Sequence, residues 1–450
     1  MLIRFVYENV LSFKEETEFN MLPAKSQKAH TDHLLQVTPK ISVLKGAIVY
    51  GANGAGKSNL IKGAEIMRNI VVKGNIPSDL RFIRNKMSDP ETPVSLDCEF
   101  SIGGKVYDYG VSFTDGLCLS EWLYDTSTEK ERLVFTREYS SEKERPVLTF
   151  SAEFMKKKAN TYLKELLETK LLKNNQVLLF LRDIIEEQNI LNAYTWFEKK
   201  LFVVFPNVKS TYIFDDMYSN SEFKSYSERV LSNLDVGIKN ITFKKEDLNK
   251  FLMEVPVLDK TVFDEAMQNL KEKESGIIDT DHFTISMERS GDKIIVRRIT
   301  MTHEVEGKEY QFELKEESDG TQRLLDFIPM IRDIQSYDRV VMIDEIDRSI
   351  HPNLLLELIS KVMEENLTGQ IICSSHESNL LSCDIFRTDE IWFAEKDRET
   401  QCTKLYTLND FKPRNDLDIR KGYLQGRFGA IPFLAQLESL KWNRSDAAQE

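Results

Sequence analysis

The sequence predicts an α/β fold in which a mixed sheet and an antiparallel β subdomain are interrupted by a helical insertion. An apolar run at 47–50 leads through a glycine-rich turn into a segment with helical spacing at 58–72. Residues 93–139 alternate short apolar runs with Gly-Gly and Asp-Gly turns, which is typical of antiparallel hairpins. The last third of the chain alternates helix and strand patterns, as layered α/β folds do.

These patterns divide the 450-residue chain into four predicted segments. Residues 1–150 form an N-terminal lobe that contains the glycine-rich loop and the hairpins. Residues 151–275 are charged and carry apolar residues three and four positions apart, which indicates a compact helical insertion. Residues 276–442 form a C-terminal lobe, and the polar residues 443–450 are expected to be a flexible tail.

Composition narrows the class of protein before any motif is considered. Hydrophobic residues make up 41% of the chain, which is enough for a packed core. The net charge of −13 argues against a protein that coats nucleic acid, because such binding relies on Lys and Arg, but it leaves room for a local basic patch. No apolar run approaches the roughly 18 residues of a bilayer span, and no secretory leader is evident. Five scattered cysteines without a CxxC pair favour a reducing, cytoplasmic location.

The clearest motif is the GxxxxGK[ST] segment from Gly51 to Ser58. Its glycines allow successive backbone N–H groups to point at phosphate oxygens. The Lys57 ammonium would reach the β- and γ-phosphates, and the Ser58 hydroxyl would bind Mg²⁺. A predicted strand precedes the motif and a predicted helix follows it, as this loop requires. The segment therefore predicts a nucleotide-binding site.

Two carboxylates follow the apolar run Val340–Ile343. This pattern predicts a buried strand with Asp344 and Glu345 at its carboxyl end, where open α/β sheets bind ligands. We assign Asp344 to the Mg²⁺ shell and Glu345 to the attacking water as catalytic base. An apolar strand that ends in Asp-Glu is common by itself, so the assignment depends on the upstream loop.

Two further segments indicate the type of nucleotide-binding protein. Glu317–Gln322 precedes a helical pattern upstream of the acidic strand, and His376 follows another predicted strand downstream of it. Taken alone, Ser318 and Asp319 would be helix N-caps, and His376 would be an ordinary surface or core histidine. The order of these motifs, together with the loop form GxNGxGKSN, resembles the ATP-binding-cassette (ABC) ATPases of the SMC/RecF/OLD type.

This resemblance implies an ABC-type ATPase head that binds ATP and Mg²⁺, and it assigns roles to individual residues. Glu345 and Lys57 would be catalytic, together with His376, which would sense the γ-phosphate within its own subunit. Ser318 and Gly320 would contact the γ-phosphate bound to another protomer's loop. The residues assigned to nucleotide contact within the loop itself are Gly51, Asn53, Gly54, Gly56, Lys57, Ser58 and Asn59.

The D-loop of ABC ATPases, which crosses their dimer interface, also has a counterpart. Asp347, with Ser349 and His351 after it, looks like this loop. The signature departs from the family form, because Ser-Asp-Gly-Thr-Gln stands in place of Ser-Gly-Gly-Gln. The glutamine that usually links nucleotide to the coupling region is not assigned to a position in this sequence.

The C-terminal segment 419–432, together with the N-terminal FVYENVLSFKEETEFNM, narrows the resemblance to OLD-like ATPases of bacterial anti-phage systems. The ATPase subunits of PARIS systems are most similar, with Septu and RloA/AbiL ATPases as close alternatives. The resemblance implies a homo-oligomer built from ATP-sandwich dimers, with a hexamer as one arrangement. It also implies a separate TOPRIM nuclease as effector and an acidic, DNA-mimicking anti-restriction protein of phage as trigger. Arg420 is left without a role, and Arg427 is a candidate for a phosphate or interface contact or for a terminal ion pair.

Residues 377–450 are too few for a fused TOPRIM fold, so we expect the nuclease to be a separate chain and interpret Asp416 and Asp418 as turn or cap residues. We therefore predict a slow ATPase that holds a toxic effector inactive and releases it on infection. One alternative is a DNA-repair or DNA-end-handling ATPase, which would bind duplex DNA with a steep salt dependence. The other is a self-contained nuclease that depends on the two aspartates.

Overall fold

The computed structural model describes residues 1–206, 213–234, 236–254, 275–280, 282–291, 293–414 and 417–431. The chain forms two compact units. The first consists of Met1–Val203, Met342–Ile346 and Gln370–Glu450. The second consists of Val204–Val341 and Asp347–Gly369.

The described strands, in chain order, are β1 (Leu2–Glu8), β2 (Thr17–Asn20), β3 (Leu34–Thr38), β4 (Ile41–Leu44), β5 (Gly46–Tyr50), β6 (Val94–Ile102), β7 (Lys105–Thr114), β8 (Leu117–Asp125), β9 (Arg132–Ser140), β10 (Arg145–Phe150), β11 (Leu201–Val204), β12 (Ile238–Asp247), β13 (Ser275–Asp279), β14 (Thr284–Ser290), β15 (Lys293–Val305), β16 (Lys308–Glu313), β17 (Val340–Ile343), β18 (Gln370–Ser374), β19 (Ile391–Lys396) and β20 (Thr403–Thr407).

The described α-helices are α1 (Lys57–Lys73), α2 (Lys158–Leu166), α3 (Arg182–Ile185), α4 (Gln188–Thr195), α5 (Ile213–Ser219), α6 (Ser221–Asn233), α7 (Leu248–Glu254), α8 (Asp319–Ser336), α9 (Pro352–Glu364) and α10 (Ile419–Leu424). Short 3₁₀ and π turns connect several of them. Within the described residues, no helix is long and apolar enough to cross a bilayer.

A mixed six-stranded sheet carries the predicted loop and the predicted acids. Its strand order is β11-β17-β18-β5-β19-β20. Strands β18 and β19 both pair in parallel with β5, and all five residues of β5 are buried. Because the carboxyl ends of parallel strands meet at one edge of a sheet, the loops after β5 and β18 emerge side by side.

A seven-stranded antiparallel sheet forms the β subdomain, in the order β10-β9-β8-β7-β6-β1-β2. The hairpin pattern read from residues 93–139 agrees with the antiparallel pairing of β6, β7, β8 and β9. Along β6, alternate side chains are buried, beginning with Val94 and Leu96. This period of two leaves the intervening polar residues on the opposite face.

The boundaries of the predicted helical insertion differ from those in the structure. The described part of residues 151–275 contains α2 to α7, but it also contains the strands β11 and β12. Strand β12 pairs along β15, and the sheet β12-β15-β14-β13, with β16 on β15, is part of the second unit. Local helical spacing did not reveal β12, because its pairing partners in β15 lie between 48 (Asp247 with Ile295) and 65 (Ile238 with His303) positions further along the chain.

The first unit extends beyond the predicted boundary at residue 150 because the next segment is bound to the antiparallel sheet. The fully buried Glu121 carboxylate accepts hydrogen bonds from the backbone N–H groups of Leu178 (2.6 Å) and Leu179 (3.3 Å). Arg137, opposite Glu121 in β9, donates to the carbonyl oxygen of Asn174 (3.0 Å). The predicted tail at 443–450 lies outside the described residues.

Candidate functional site

The glycine-rich loop joins β5 to α1. Gly54 and Gly56 have φ angles of 76° and 107°, in the left-handed region that favours glycine. Helix α1 begins directly after Gly56, and its first turn contains no acidic residue. The positive dipole end of α1 therefore lies at the loop, where it favours an anion such as a phosphate.

The Lys57 side chain crosses the loop. It is 5% exposed, and its ammonium donates to the carbonyl oxygens of Gly51 (2.8 Å) and Ala52 (3.3 Å). These contacts hold a buried positive charge within the loop. The predicted loop residues otherwise differ in exposure, with Asn53, Gly54 and Ser58 exposed and Gly56 buried.

Ser58 and Asp344, the two predicted Mg²⁺ ligands, are brought together by the fold although 286 positions separate them. The Ser58 hydroxyl donates to Asp344 Oδ1 at 3.1 Å. Asp344 is 4% exposed, and its carboxylate lies directly after the buried strand β17. A hydroxyl and a carboxylate oxygen at this distance are a donor set that Mg²⁺ prefers, so the residues present fit the ion.

Glu345 follows Asp344 in a left-handed backbone conformation, with a φ angle of 49°. The hydroxyl of Ser374, at the end of β18, connects the two acids. It donates to Asp344 Oδ1 (2.6 Å) and accepts the backbone N–H of Glu345 (2.9 Å). Ser374 is fully buried. Sequence reasoning missed Ser374, because the sequence does not show that the strand that ends in this serine, β18, lies next to β17.

Ser12 and Thr403, which sequence reasoning also missed, contact the loop. Thr403 Oγ1 lies 2.7 Å from Ser12 Oγ and 2.8 Å from the carbonyl oxygen of Ala55. A Cβ atom on Gly56 would lie 2.1 Å from Thr403 Oγ1, so only glycine fits there. Asn59, predicted as a nucleotide contact, donates its side-chain amide to Ser12 (2.8 Å).

The remaining predicted site residues lie at three other positions. His376 is exposed and follows β18 by two residues, in the first unit. Ser318 and Gly320 belong to the second unit, where Ser318 is the N-cap of α8 and its hydroxyl accepts the N–H of Thr321 (3.1 Å). The predicted cap role of Ser318 is thus observed, and its role toward a second protomer stays a prediction.

The proposed D-loop lies beside the signature turn within the second unit. A Cβ atom on Gly320 would approach the carbonyl oxygen of Ser349 to 2.8 Å, so a glycine is needed at this contact. Ser349 has a φ angle of 62°. His351 is the N-cap of α9, and its Nδ1 accepts the N–H of Asn353 (3.3 Å).

The C-terminal residues singled out in the sequence have mainly structural contacts. Asp418 caps α10 by accepting the N–H of Lys421 (2.9 Å), as expected, and Asp416 lies outside the described residues. Arg420 donates to the Ser378 hydroxyl (3.3 Å), and Arg427 is exposed.

Comparisons with known proteins identify the family. A family model described as "AAA domain, putative AbiEii toxin, Type IV TA system" matches residues 47–382. No curated protein matches the chain at a significant level. Similar solved structures include an SMC head domain from Thermotoga maritima, with 10% identity, a TM-score of 0.39 and coverage of 90% of this chain and 98% of that chain.

Two further similar structures are complexes of SMC heads. An SmcHead bound to the C-winged helix domain of ScpA has 12% identity and a TM-score of 0.42, with 90% of this chain and 97% of that chain covered. A Smc head domain with an extended coiled coil, bound to the C-terminal domain of ScpA derived from Pyrococcus furiosus, has 12% identity and a TM-score of 0.40, with 92% and 99% covered. The family match spans most of the chain and includes the loop, both acids and His376, and the chain therefore belongs to this AAA-domain family of P-loop ATPases.

Proposed function

We propose that the chain binds ATP with Mg²⁺ and hydrolyses it slowly, as the ATP-dependent scaffold and sensor of an anti-phage, abortive-infection system. The observation that carries the ATPase part is the 3.1 Å contact between the Ser58 hydroxyl and the Asp344 carboxylate, next to the buried Lys57. The family description, which names a toxin of the AbiEii type, supports the abortive-infection part.

The chemistry follows from the positions of these groups. Backbone N–H groups of the loop and the Lys57 ammonium would bind the phosphates, and Ser58 and Asp344 would hold Mg²⁺. A bound Mg²⁺ ion offsets the negative charge that develops on the transferred phosphate. Glu345 directly follows Asp344 and would orient the attacking water and accept its proton.

Partners are part of the proposal. We propose that the chain forms homo-oligomers through ATP-sandwich contacts and holds a separate effector, a TOPRIM nuclease if the system is of the PARIS type. An acidic phage protein that mimics DNA would release the effector. A slow ATPase suits this role, because a sensor has to persist in one state until the trigger arrives.

The first experiment measures ATP binding and phosphate release by the purified protein. Lys57→Ala is expected to weaken ATP binding at least tenfold, because the ammonium contacts the loop that holds the phosphates. Glu345→Gln is expected to bind ATP normally and to hydrolyse it about 10²–10⁴-fold more slowly, the usual contribution of a general base. Lys62→Ala, an exposed lysine on the same helix, is the matched control. Unchanged turnover in Glu345→Gln would show that Glu345 is not the base.

The second experiment tests the biological role in cells that carry the chain with its neighbouring genes. Lys57→Ala is expected to abolish protection against phage, and Lys62→Ala is expected to preserve it. Full protection by Lys57→Ala, produced at the wild-type level, would refute the ATP-gated role. Tight DNA binding by the purified chain alone, falling steeply with salt, would instead favour a DNA-handling ATPase.

A further inference from the structure

A short 3₁₀ turn in the first unit, Thr31–His33, brings three potential metal ligands together. One ligand atom each of His30, Asp32 and His33 lies within 4.8 Å of the others. None of these residues belongs to the proposed ATP site. Any ligand of this cluster would therefore be separate from the ATP and Mg²⁺ of that site.

His33 is held in an orientation that suits a metal ligand. The side chain is almost fully buried, and its Nδ1 lies 2.9 Å from Oε2 of Glu390, a fully buried carboxylate. Its Nε2 faces the other way, 3.9 Å from Oδ2 of Asp32. A histidine that binds a metal through one ring nitrogen commonly donates the other N–H to a carboxylate, which sets the tautomer and the ring orientation.

His30 has the same kind of support from the backbone. Its Nε2 lies 2.8 Å from the carbonyl oxygen of Cys383. Because a carbonyl oxygen can only accept a hydrogen bond, Nε2 is the donor and carries a proton. Nδ1 of His30 is then the unprotonated nitrogen, and its lone pair is available to a metal. The rings of His30 and His33 are close, with their centroids 4.8 Å apart.

Glu390 belongs to a buried polar network next to the cluster. Arg387 and Asp389 form a buried ion pair at 2.8 Å. Glu390 accepts the backbone N–H of Arg387 (2.8 Å) besides its contact with His33. These contacts hold the Glu390 carboxyl group in place, and with it the His33 ring.

One nearby cation competes with a metal. The Lys45 ammonium, itself almost fully buried, lies 3.8 Å from Asp32 Oδ2. Asp32 is 60% exposed, so its carboxylate has room to turn between Lys45 and the two imidazoles. The competition is expected to reduce the affinity of the cluster without removing any of the three ligands.

We propose that His30 Nδ1, His33 Nε2 and the Asp32 carboxylate bind one divalent transition-metal ion of the Zn²⁺ class, with the fourth position open to water. Two imidazoles and one carboxylate are a ligand set that suits Zn²⁺, and three protein ligands with an open position are common at such sites. The ion would connect the turn at 30–33, through Glu390, to the start of β19, which pairs with the strand preceding the ATP loop.

The test titrates chelator-treated, full-length protein with Zn²⁺ alone by calorimetry, in excess Mg²⁺ so that the Asp344 site does not take up Zn²⁺. Wild-type protein is expected to bind one Zn²⁺ per chain. His30→Ala and Asp32→Asn are expected to weaken binding about tenfold or more, in the range seen when metal-site contacts are lost. His351→Ala, an exposed histidine outside the cluster, is the control and should bind as wild type does.

Two results would overturn the proposal. One is the absence of Zn²⁺ binding by wild-type protein that melts cooperatively, which would leave His33 with a structural role as the hydrogen-bond partner of Glu390. The other is the same stoichiometry and affinity in His30→Ala and Asp32→Asn as in wild type. Both substituted residues are at least partly exposed, so loss of folding is not expected, and circular dichroism checks this. Substitution of Co²⁺ adds a second readout, because a tetrahedral site gives visible absorption bands that His30→Ala should lose.

Discussion

The Ser374 hydroxyl contacts both the Asp344 carboxylate and the backbone of Glu345 in the proposed ATP site. Its proton is directed to Asp344 Oδ1, and its lone pair accepts the backbone N–H of Glu345. Glu345 adopts a left-handed backbone conformation, which costs a non-glycine residue about 1 kcal/mol or more. The hydrogen bond from the Glu345 N–H to Ser374 offsets part of this cost.

We expect Ser374→Ala to slow ATP hydrolysis while ATP binding changes little. The variant leaves the N–H of Glu345 without this acceptor, so the proposed base loses its position, whereas the phosphate-binding loop is unchanged. A loss of about tenfold or more in kcat, with KM within about threefold of wild type, is expected for a positioning residue. Phosphate-release kinetics measure both constants.

Ser375→Ala is the matched control for this prediction. Ser375 is also fully buried, but its hydroxyl accepts the N–H of Glu377 (2.9 Å), outside the proposed pair of acids. Ser374→Thr keeps a hydroxyl and should recover part of the activity. Equal kcat values for Ser374→Ala and wild type would show that the bridge has no part in hydrolysis.

The residues of the proposed ATP site differ in whether the sequence alone could predict them. Lys57, Ser58 and Asp344 were predictable, because the phosphate-binding loop and the acidic strand are local patterns with a known geometry. Ser374 and Thr403 were not, because each acquires its contact only when strands far apart in the chain become neighbours. Sequence spacing contains no record of that pairing.

At the level of secondary-structure elements, strand and helix types were predicted better than strand partners. The apolar run before the loop is β5, and the helical spacing at 58–72 is α1. In contrast, β12 has the polar sequence IKNITFKKED, whose position is set by pairing with β15 over nine residue pairs. Its outer charges are satisfied in the folded sheet, for example by the ion pair of Lys239 with Glu304.

The antiparallel sheet carries an unusual group of carboxyls on neighbouring strands. Asp97 lies on β6 and Asp108 on β7, and Arg4 on β1 approaches Asp108 at 4.0 Å. Burial and the adjacent Asp108 raise the pKa of the Asp97 carboxyl to about 8. Arg4 opposes this shift, because a cation favours the charged carboxylate.

This pKa shift predicts a loss of stability as pH rises. An unfolded Asp titrates near about 4, so between about pH 4 and 8 the folded chain holds a proton that the unfolded chain has released. The stabilisation is fully present below about pH 4 and is lost as pH rises through the folded pKa. We expect Asp97→Asn, which cannot ionise, to reduce the fall in Tm between pH 6 and pH 8.5.

Differential scanning fluorimetry at half-unit pH steps measures this effect. Glu91→Gln removes an exposed carboxylate and should leave the wild-type slope unchanged. If Asp97→Asn and wild type lose the same Tm between pH 6 and pH 8.5, the Asp97 carboxyl is ionised throughout that range and the assignment is incorrect.

For the whole molecule, the chain path distributes the predicted ATPase motifs over two units. The loop, both acids and His376 belong to the first unit, whereas Ser318 and Ser349 belong to the second. Only the short segment Met342–Ile346 of the first unit interrupts the second, and this segment carries Asp344 and Glu345. The acids are therefore covalently connected on one side to the signature helix α8 and on the other to the proposed D-loop.

This connectivity matters if a second protomer completes the ATP site, as the resemblance to ABC ATPases implies. In that arrangement ATP joins the loop of one protomer to Ser318 of the other, and hydrolysis releases them. We expect Glu345→Gln, which should bind ATP without turning it over, to accumulate as an ATP-dependent dimer or a multiple of it. Light scattering after size exclusion, with and without Mg²⁺-ATP, measures the mass.

A bulky signature residue should separate assembly from nucleotide binding. In Glu345→Gln/Ser318→Tyr, the new side chain would block the γ-phosphate of the partner protomer, so we expect ATP binding without the ATP-dependent increase in mass. Glu345→Gln/Ser318→Asn is the matched control, because asparagine also caps helix N-termini well and adds little bulk, so it should keep the ATP-dependent increase in mass. The tyrosine variant must keep its Tm, which shows that α8 is intact. If the tyrosine variant still shows the ATP-dependent increase in mass, Ser318 is excluded from the contact between protomers. If ATP does not raise the mass of Glu345→Gln itself, an ATP-sandwich dimer is excluded.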